Sequence, residues 1–348
     1  MNLFETKMDR RRLLNNMVMV GAGATLAACT PRMKDVPLNL DPAILNFALN
    51  LEYLEAAFYL AAVGQLDKLP GYAPDKVLLP NGFDGLTALP FVQDADNVVG
   101  QYATEIALDE LAHVQFLRSA LGMDAAELPT VDLSGSFQAA ASAAFGLVAD
   151  PGSLGLPASF TPADFNPLDP GNPLVEALFL HGAFIFEDVG VTAYKGAARY
   201  IKNKDFLRAA AGILAVEGYH AGEVRIFLYA ADKRVTDRYG GLDTWTITAA
   251  ISAARDSLDG DSNLDQGIVK ADRFGLTPQA HGGANIVPTD ENSIVFSRTP
   301  RQVANIVLLN PDPMNATGGF FPNGLNIPAG LEDEFAVLLD PEFPNNLP

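Results

Sequence analysis

The sequence contains a single cysteine, Cys29, among its 348 residues. An intrachain disulfide framework and a metal site built from several thiolates are therefore both excluded. Basic residues are also scarce, because 23 lysines and arginines stand against 42 aspartates and glutamates, and the formal net charge is −19. A surface of that sign repels the phosphates of nucleic acids, so we expect no nucleic-acid partner.

The N-terminal region lacks a hydrophobic run long enough to span a bilayer, which needs ~20 apolar residues. Its apolar stretch runs only from Met17 to Ala28 and follows the three arginines of residues 10–12. A basic region, a short apolar region and small residues before a cleavage point are typical of a secretory signal. We therefore predict that residues 1–28 are a signal and that residues 29–40 are a linker.

Two details indicate the type of signal. The paired arginines before Leu13 and Leu14 resemble a twin-arginine signal, which exports proteins that have already folded. The sequence Leu-Ala-Ala-Cys that ends at Cys29 resembles a lipoprotein cleavage box, in which the cysteine is lipidated. These patterns predict export through the twin-arginine route to the periplasm, with a lipid on Cys29 as the contact with the membrane. The alternative is a soluble protein that is cleaved nearby, with Cys29 removed or unmodified.

Four helical patterns follow the linker, and they form two hairpins. Asp41 and Asn172 are each followed by proline, a typical helix start, and Asp205 is predicted to cap the fourth helix. A connection at 122–171, rich in proline and glycine, separates the hairpins. This order predicts an all-α fold, a four-helix bundle with one long crossover. The four predicted helices cover residues 42–63, 97–121, 172–202 and 205–232.

The segments outside the bundle have weaker patterns. An alanine-rich stretch at 135–148 predicts a short helix within the crossover. Residues 233–348 predict an irregular C-terminal extension with helices only at 244–258 and 300–309. We therefore place the bundle domain at 41–232 and the extension at 233–348.

Glutamate, histidine and tyrosine residues interrupt the apolar seams of the four bundle helices, and they do so in a repeated order. The first and third helices each carry a glutamate followed seven residues later by a tyrosine. The second and fourth each carry Glu-x-x-His, and residues three apart lie on the same helix face. Each hairpin thus contains the same chemistry once. The set is Glu52, Tyr59, Glu110 and His113, then Glu187, Tyr194, Glu217 and His220.

Four glutamates that converge in a low-dielectric core repel one another, and unpaired they would protonate or destabilise the fold by several kcal/mol. Two divalent cations would balance their charge, and the two imidazoles would add neutral donors. Oxygen-rich ligands with one nitrogen per metal suit iron or manganese, and the lack of thiolates argues against structural zinc. We predict two metal ions, iron first and manganese as an alternative, held by Glu52, Glu110, His113, Glu187, Glu217 and His220.

This arrangement resembles the ferritin-like di-metal carboxylate superfamily, in which two helices give one glutamate each and two give Glu-x-x-His. The resemblance covers about residues 42–232. It implies two terminal glutamates, two bridging glutamates and one histidine on each metal. The terminal ligands would be Glu52 and Glu187, the bridging ligands Glu110 and Glu217, and the nitrogen ligands His113 and His220.

The C-terminal segments at 297–306 and 318–324 look more specifically like the desiccation-related, ferritin-like proteins of bacteria and plants. The export signal, the long crossover and the extension depart from the pattern of storage ferritins. A hollow iron-storage shell is therefore not expected, and the sequence leaves open whether the protein forms a homo-oligomer.

The sequence allows two roles for several residues near the predicted ligands. Glu55 rivals Glu52 as a ligand, but the matched spacing to the tyrosines favours Glu52. Tyr59 and Tyr194 are either core residues or groups that orient ligands or donate electrons, and Asp109 is either solvated or a partner of a metal-bound imidazole. The remaining candidates are interpreted as structural or solvent-facing: Glu105, Glu223, His181 and His281.

The residues leave more than one function open. The first hypothesis is an exported oxidoreductase that reacts with dioxygen or hydrogen peroxide, as a ferroxidase or a peroxide-consuming stress protein. The second is a non-enzymatic protective or interaction protein whose metals only stabilise the bundle. The third is a metal-free bundle whose glutamates pair with arginines, which the scarcity of basic residues in the seams disfavours.

Overall fold

The computed structural model describes residues 39–236, 238–260, 263–270, 283–311 and 316–344. The predicted signal, most of the linker, Cys29 and His281 lie outside the described residues. None of the helices that are described is both long enough and apolar enough to cross a membrane.

The described residues form nine α-helices and two very short β-sheets, and four of the helices are long. Strands β1 (Val77–Leu78) and β2 (Val131–Asp132) pair in parallel, and β3 (Val269–Lys270) and β4 (Gly283–Ala284) pair antiparallel. The helices are α1 (Asp41–Ala62), α2 (Pro90–Gln93), α3 (Val98–Leu121), α4 (Gly135–Phe145), α5 (Val175–Ala198), α6 (Lys204–Ala230), α7 (Thr244–Asp259), α8 (Pro300–Val307) and α9 (Glu332–Leu338).

The long helices α1, α3, α5 and α6 form a four-helix bundle. Helix α1 packs along α3 and α5 packs along α6, and the two hairpins meet through α1 against α5 and α3 against α6. The long crossover lies between α3 and α5 and contains β2, α4 and three 3₁₀ turns, Gly122–Asp124, Pro151–Leu154 and Pro162–Asp164. The all-α bundle with one long crossover is therefore confirmed. Helix α5 begins at Val175, three residues later than predicted.

Three predicted helix caps are wrong. Asn172 does not cap α5, since its side chain accepts the backbone N–H of Leu174 before the helix begins. Asp41 lies in the first turn of α1 and makes no capping hydrogen bond there; its carboxylate instead accepts the backbone N–H groups of Lys202 (2.7 Å) and Asn203 (2.8 Å). Asn203, rather than Asp205, caps α6 by accepting the backbone N–H of Asp205 at 2.8 Å. Asp41 thus ties the start of α1 to the turn between α5 and α6, a contact that a local pattern does not contain.

A cluster of aromatic rings joins the crossover and the C-terminal extension to the bundle. Phe58 of α1 stacks on Phe179 of α5 with ring centroids 5.1 Å apart. Phe137 of α4 packs 5.6 Å from Phe186 of α5, which also contacts Phe320 of the extension at 4.9 Å. Burial of each such ring is worth about 1.5–3 kcal/mol. The crossover and the extension therefore share the core of the bundle.

Buried ion pairs also attach the extension to the bundle. Arg225 of α6 and Arg255 of α7 both bind Asp188 of α5, at 2.7 Å and 3.0 Å. Within the extension itself, Arg298 binds Asp259 at 2.7 Å, and both Arg255 and Arg298 bind Asp265. The sequence predicts a mostly irregular extension, yet α9 is an additional helix. Among the described residues, the pair of Arg255 with Asp188 joins the extension to α5.

Candidate metal centre

The inward faces of the four long helices bring the six predicted ligands together in the core. Each of the glutamates is at most 1% exposed, and the two histidines are 8% and 3% exposed. Carboxylates are buried in this way only when other groups compensate for their lost hydration. We refer to these side chains as the cluster: Glu52, Glu110, His113, Glu187, Glu217 and His220.

Glu110 lies at the centre of the cluster, between the two imidazoles. Its Oε2 is 3.5 Å from Nδ1 of His113 on the same helix, and its Oε1 is 3.1 Å from Nδ1 of His220 on α6. One carboxylate therefore faces a ring nitrogen from each hairpin. Such a position suits a ligand that bridges two ions.

The cluster divides into two overlapping groups of donor atoms, and in each group one atom per residue lies within 4.8 Å of all the others. In the first, Nδ1 of His113 is 3.1 Å from Oε2 of Glu52 and 3.8 Å from Oε1 of Glu217. In the second, Nδ1 of His220 is 3.6 Å from Oε2 of Glu187. The first group is Glu52, Glu110, His113 and Glu217, and the second is Glu187, Glu217 and His220.

Several donor atoms of the cluster lack hydrogen-bond partners although they are buried. Neither carboxylate oxygen of Glu110 makes a hydrogen bond, and the same holds for the two oxygens of Glu217 and for Nδ1 of His220. Nδ1 of His220 lies only 3.1 Å from Glu110, but the two groups are not aligned for a hydrogen bond. Buried polar atoms without partners are costly. Nδ1 of His113 does form a hydrogen bond with Oε2 of Glu52, but the unpartnered atoms face a common point without bonding to one another, which fits a site that can bind metal ions.

The two tyrosines contact the glutamate of the opposite hairpin. Tyr59 on α1 donates a hydrogen bond to Oε1 of Glu187 on α5, and Tyr194 on α5 donates one to Oε1 of Glu52 on α1. Burial, followed by the nearby glutamates, raises the pKa of both hydroxyls well above its ordinary value. Each hydroxyl therefore keeps its proton and orients the carboxylate through one oxygen, which leaves the other oxygen facing the cluster.

Asp109 occupies the position expected of an outer partner of an imidazole. Its Oδ2 lies 3.2 Å from Nε2 of His220. When Nε2 carries the proton of a neutral ring, Nδ1 presents its lone pair to the cluster. Asp109 thus selects the tautomer that can bind a metal through Nδ1.

Without metal, protons supply the positive charge of the cluster. Burial would lower the pKa of His113, but Glu52 and Glu110 outweigh it and raise this pKa to about 10. His220 is shifted in the same direction, to about 12, by Glu110 and Glu187. Burial, reinforced by Glu110, raises the pKa of Glu52 to about 7. Metal ions that bind here must displace these protons.

The structure also places Glu55 in the environment of the cluster, although the sequence favoured Glu52 over it as a ligand. Glu55, the rival of Glu52, is only 5% exposed, and after burial its pKa is raised most by Glu110 and Glu187. Both glutamates of α1 therefore belong to the same electrostatic environment. The sequence already indicated that Glu52 and Glu55 lie close together, because residues three apart on a helix share a face.

The other candidates that the structure describes do not belong to either group of donor atoms. Glu105 is exposed, and Glu223 is half-buried rather than solvent-facing. His181 is buried, and its Nδ1 lies 2.7 Å from the carbonyl oxygen of Ala177 on its own helix, which agrees with a structural role. Among the residues described here, no arginine or lysine forms a salt bridge with a cluster glutamate; Arg225, Arg255 and Arg298 bind Asp188, Asp259 and Asp265.

Comparisons with known proteins agree with this geometry. The chain is 29% identical over 273 residues to the desiccation-related protein PCC13-62 of Craterostigma plantagineum, which covers 77% of each chain. It is 27% identical over 292 residues to the ferritin-like catalase Nec2 of Nesocodon mauritianus, covering 82% of this chain and 83% of that protein. No solved structure matches the chain. The model of the ferritin-like domain family matches residues 40–230, which contain the whole cluster, and the chain therefore belongs to the ferritin-like family.

Proposed function

We propose that the cluster binds two metal ions, iron or manganese, and that the protein consumes hydrogen peroxide at this centre. The observation that carries the proposal is the set of buried donor atoms without partners, on Glu110, Glu187, Glu217 and His220. Four carboxylates and two imidazoles without thiolate suit these two metals better than zinc. Two divalent ions also balance the four carboxylate charges.

The chemistry that such ions supply when bound is a change between divalent and trivalent states. The protein's own side chains position the ligands and exclude water. Tyr59 and Tyr194 each hold one oxygen of a carboxylate, and Asp109 holds the tautomer of His220. Burial of the cluster strengthens its electrostatic interactions, because the low local dielectric screens them weakly.

The choice of peroxide rests on the relative that is named a ferritin-like catalase. A catalase converts two molecules of hydrogen peroxide into two of water and one of dioxygen, so it needs no other reductant. Oxidation of Fe(II) by dioxygen or peroxide is the neighbouring reaction for the same ligand set. The two reactions differ in their products, and this difference makes them separable by assay.

The test is elemental analysis of the protein purified without added metal, together with dioxygen evolution from hydrogen peroxide. We expect about two ions of iron or manganese per chain, as in other carboxylate bundles of this type. Glu110→Ala should lose both the metal and the activity, whereas Glu105→Ala, an exposed glutamate on the same helix, should retain them. Wild-type protein that contains neither metal would overturn the proposal.

A non-enzymatic protective role is the second candidate, and the relative that is named desiccation-related favours it. In that case the metals only stabilise the bundle. Metal-loaded protein that neither consumes peroxide nor oxidises Fe(II), but unfolds at a higher temperature than the metal-free form, would support this role over the catalytic one.

Export through the twin-arginine route to the periplasm is also part of the proposal, and the residues that support it are Arg11, Arg12 and Cys29. We expect Arg11→Lys combined with Arg12→Lys to retain the protein in the cytoplasm. Cys29→Ser should remove a lipid that is detectable by mass spectrometry of the mature N-terminus. Unchanged fractionation of the double variant would contradict the route, and a mature N-terminus without lipid would contradict the anchor.

A further inference from the structure

Glu55 is a buried carboxylate that the six-residue cluster does not use. It lies one turn after Glu52 on α1, on the same helix face, and is 5% exposed. In the ranges that the structure covers, no lysine or arginine forms an ion pair with it, and Arg225, Arg255 and Arg298 bind aspartates elsewhere. A buried carboxylate without a cation is costly, so its position calls for an explanation.

The two hairpins match at every other position of the cluster, and Glu55 breaks the match. Glu52 and Tyr59 on α1 correspond to Glu187 and Tyr194 on α5, and each tyrosine donates to the glutamate of the other hairpin. The counterpart of Glu55, three residues after Glu187, is Gly190. One side of the centre therefore has an additional carboxylate, and the opposite side has no side chain at all.

Gly190 provides the space into which Glu55 extends. A Cβ atom at residue 190 would lie 3.2 Å from Oε1 of Glu55, and it would clash with Oε2 of Glu217. The carboxylates of α1 and α6 thus meet above the backbone of α5, where only glycine permits so close an approach. Oε2 of Glu217 has no hydrogen-bond partner of its own.

We propose that Glu55 is a further ligand of the metal centre, on the side that faces Gly190, where it binds beside Glu217. The inference rests on the proposed function, since it requires that the cluster binds metal. With Glu55 the centre contains five carboxylates, one negative charge more than two divalent ions balance. That excess favours the state in which one ion is trivalent, and it makes the two metal positions chemically different.

The probe is Co(II), titrated into the metal-free full-length protein and followed by calorimetry and by visible absorption, which reports the number of ligands on cobalt. The variant is Glu55→Gln, which removes the charge and keeps the size, and the control is Glu105→Gln on the exposed face of α3. We expect the wild type and the control to bind two ions alike. Glu55→Gln should bind one of them at least about tenfold more weakly, with changed absorption bands for that ion.

The outcomes separate the inference from the proposed function. Two ions bound by Glu55→Gln with wild-type affinity and wild-type absorption would overturn the role of Glu55 and leave the metal centre intact. A wild-type protein that binds no cobalt would overturn the centre itself, and Glu55 with it. If circular dichroism shows that Glu55→Gln does not fold, Glu55→Asp keeps the charge but shortens the side chain. A changed absorption of one ion in that variant supports the role, and unchanged absorption refutes it.

Discussion

Tyr194 on α5 donates a hydrogen bond to Glu52 on α1, so the second hairpin of the bundle orients a candidate ligand of the first. Tyr59 and Glu187 form the reciprocal pair. The two hydrogen bonds cross the interface between the hairpins beside the buried cluster. Formation of the centre and docking of the hairpins are therefore coupled, because neither glutamate is held in place by its own helix alone.

Replacement of Tyr194 by phenylalanine tests this coupling. We expect Tyr194→Phe to bind metal ~10–100-fold more weakly, the usual effect of removing an outer partner of a ligand, because Glu52 loses the group that orients it. The measurement is calorimetric titration of the metal-free protein with Mn(II). The control is Tyr219→Phe, since Tyr219 is 74% exposed on α6. Equal affinities for the two variants would contradict the orienting role.

Replacement of Asp109 tests how the tautomer of His220 is selected. We expect Asp109→Ala to weaken metal binding by ~10–100-fold, because Nε2 of His220 loses the acceptor that lies 3.2 Å away. Mn(II) titration measures the effect, and Glu105→Ala, one turn earlier on the same helix, is the matched control. If Asp109→Ala binds Mn(II) as tightly as the control, the carboxylate is only a solvated surface group.

We expect His181 to make the stability of the protein depend on pH, independently of the groups in the cluster. Burial lowers its pKa to about 4 from an ordinary value of 6.5, and its Nε2 has no hydrogen-bond partner. The folded state thus takes up this proton at lower pH than the unfolded state. The contribution of His181 to stability is full above pH 6.5 and is lost as the pH falls toward about 4. The free energy of unfolding should decrease over that range by up to about 3 kcal/mol from this residue.

The measurement for His181 is urea unfolding of the wild type and of His181→Leu at a series of pH values between 7 and about 4. The leucine variant cannot take up the proton, so its free energy of unfolding should fall less steeply with decreasing pH. Parallel curves for the two proteins would show that His181 is not the source of the dependence.

Replacement of Arg298 tests how much a buried polar network stabilises the fold. Arg298 is 1% exposed and binds both Asp259 and Asp265, and so Arg298→Met leaves two buried carboxylates without this partner. Arg298 also donates a hydrogen bond to the hydroxyl of Thr192 on α5 at 3.0 Å. Removal of one partner from a buried ion pair costs about 3–5 kcal/mol. Urea unfolding measures this loss, with Arg208→Met, an exposed arginine on α6, as control. A loss no larger than that of the control would mean that the pairs contribute little.

The sequence was sufficient to predict the bundle and its inward-facing residues. The apolar seam repeats with the period of the α-helix, and this local property places Glu110 with His113 and Glu217 with His220 on single faces. The structure places all six predicted ligands in one buried group. The long crossover was equally readable, because proline and glycine mark where the helices end.

Other features depend on contacts between segments that are far apart in the chain. Asp41 satisfies the local rule for a helix cap, yet its carboxylate binds the turn between α5 and α6. Arg298 follows no pattern that foretells its burial beside Asp259. A local rule lists the hydrogen bonds that a side chain can make, whereas the packing of distant segments selects among them.

The sequence by itself determined which residues face the interior of the bundle, because helical periodicity is a property of neighbouring residues. Only the tertiary structure decided which of those residues meet. It paired each tyrosine with the glutamate of the other hairpin, and it brought Glu55 to Gly190 and Arg255 of the extension to Asp188 of the bundle. The physical reason is that hydrogen bonds and buried charges depend on distances in space, which are set when the hairpins, the crossover and the extension pack together.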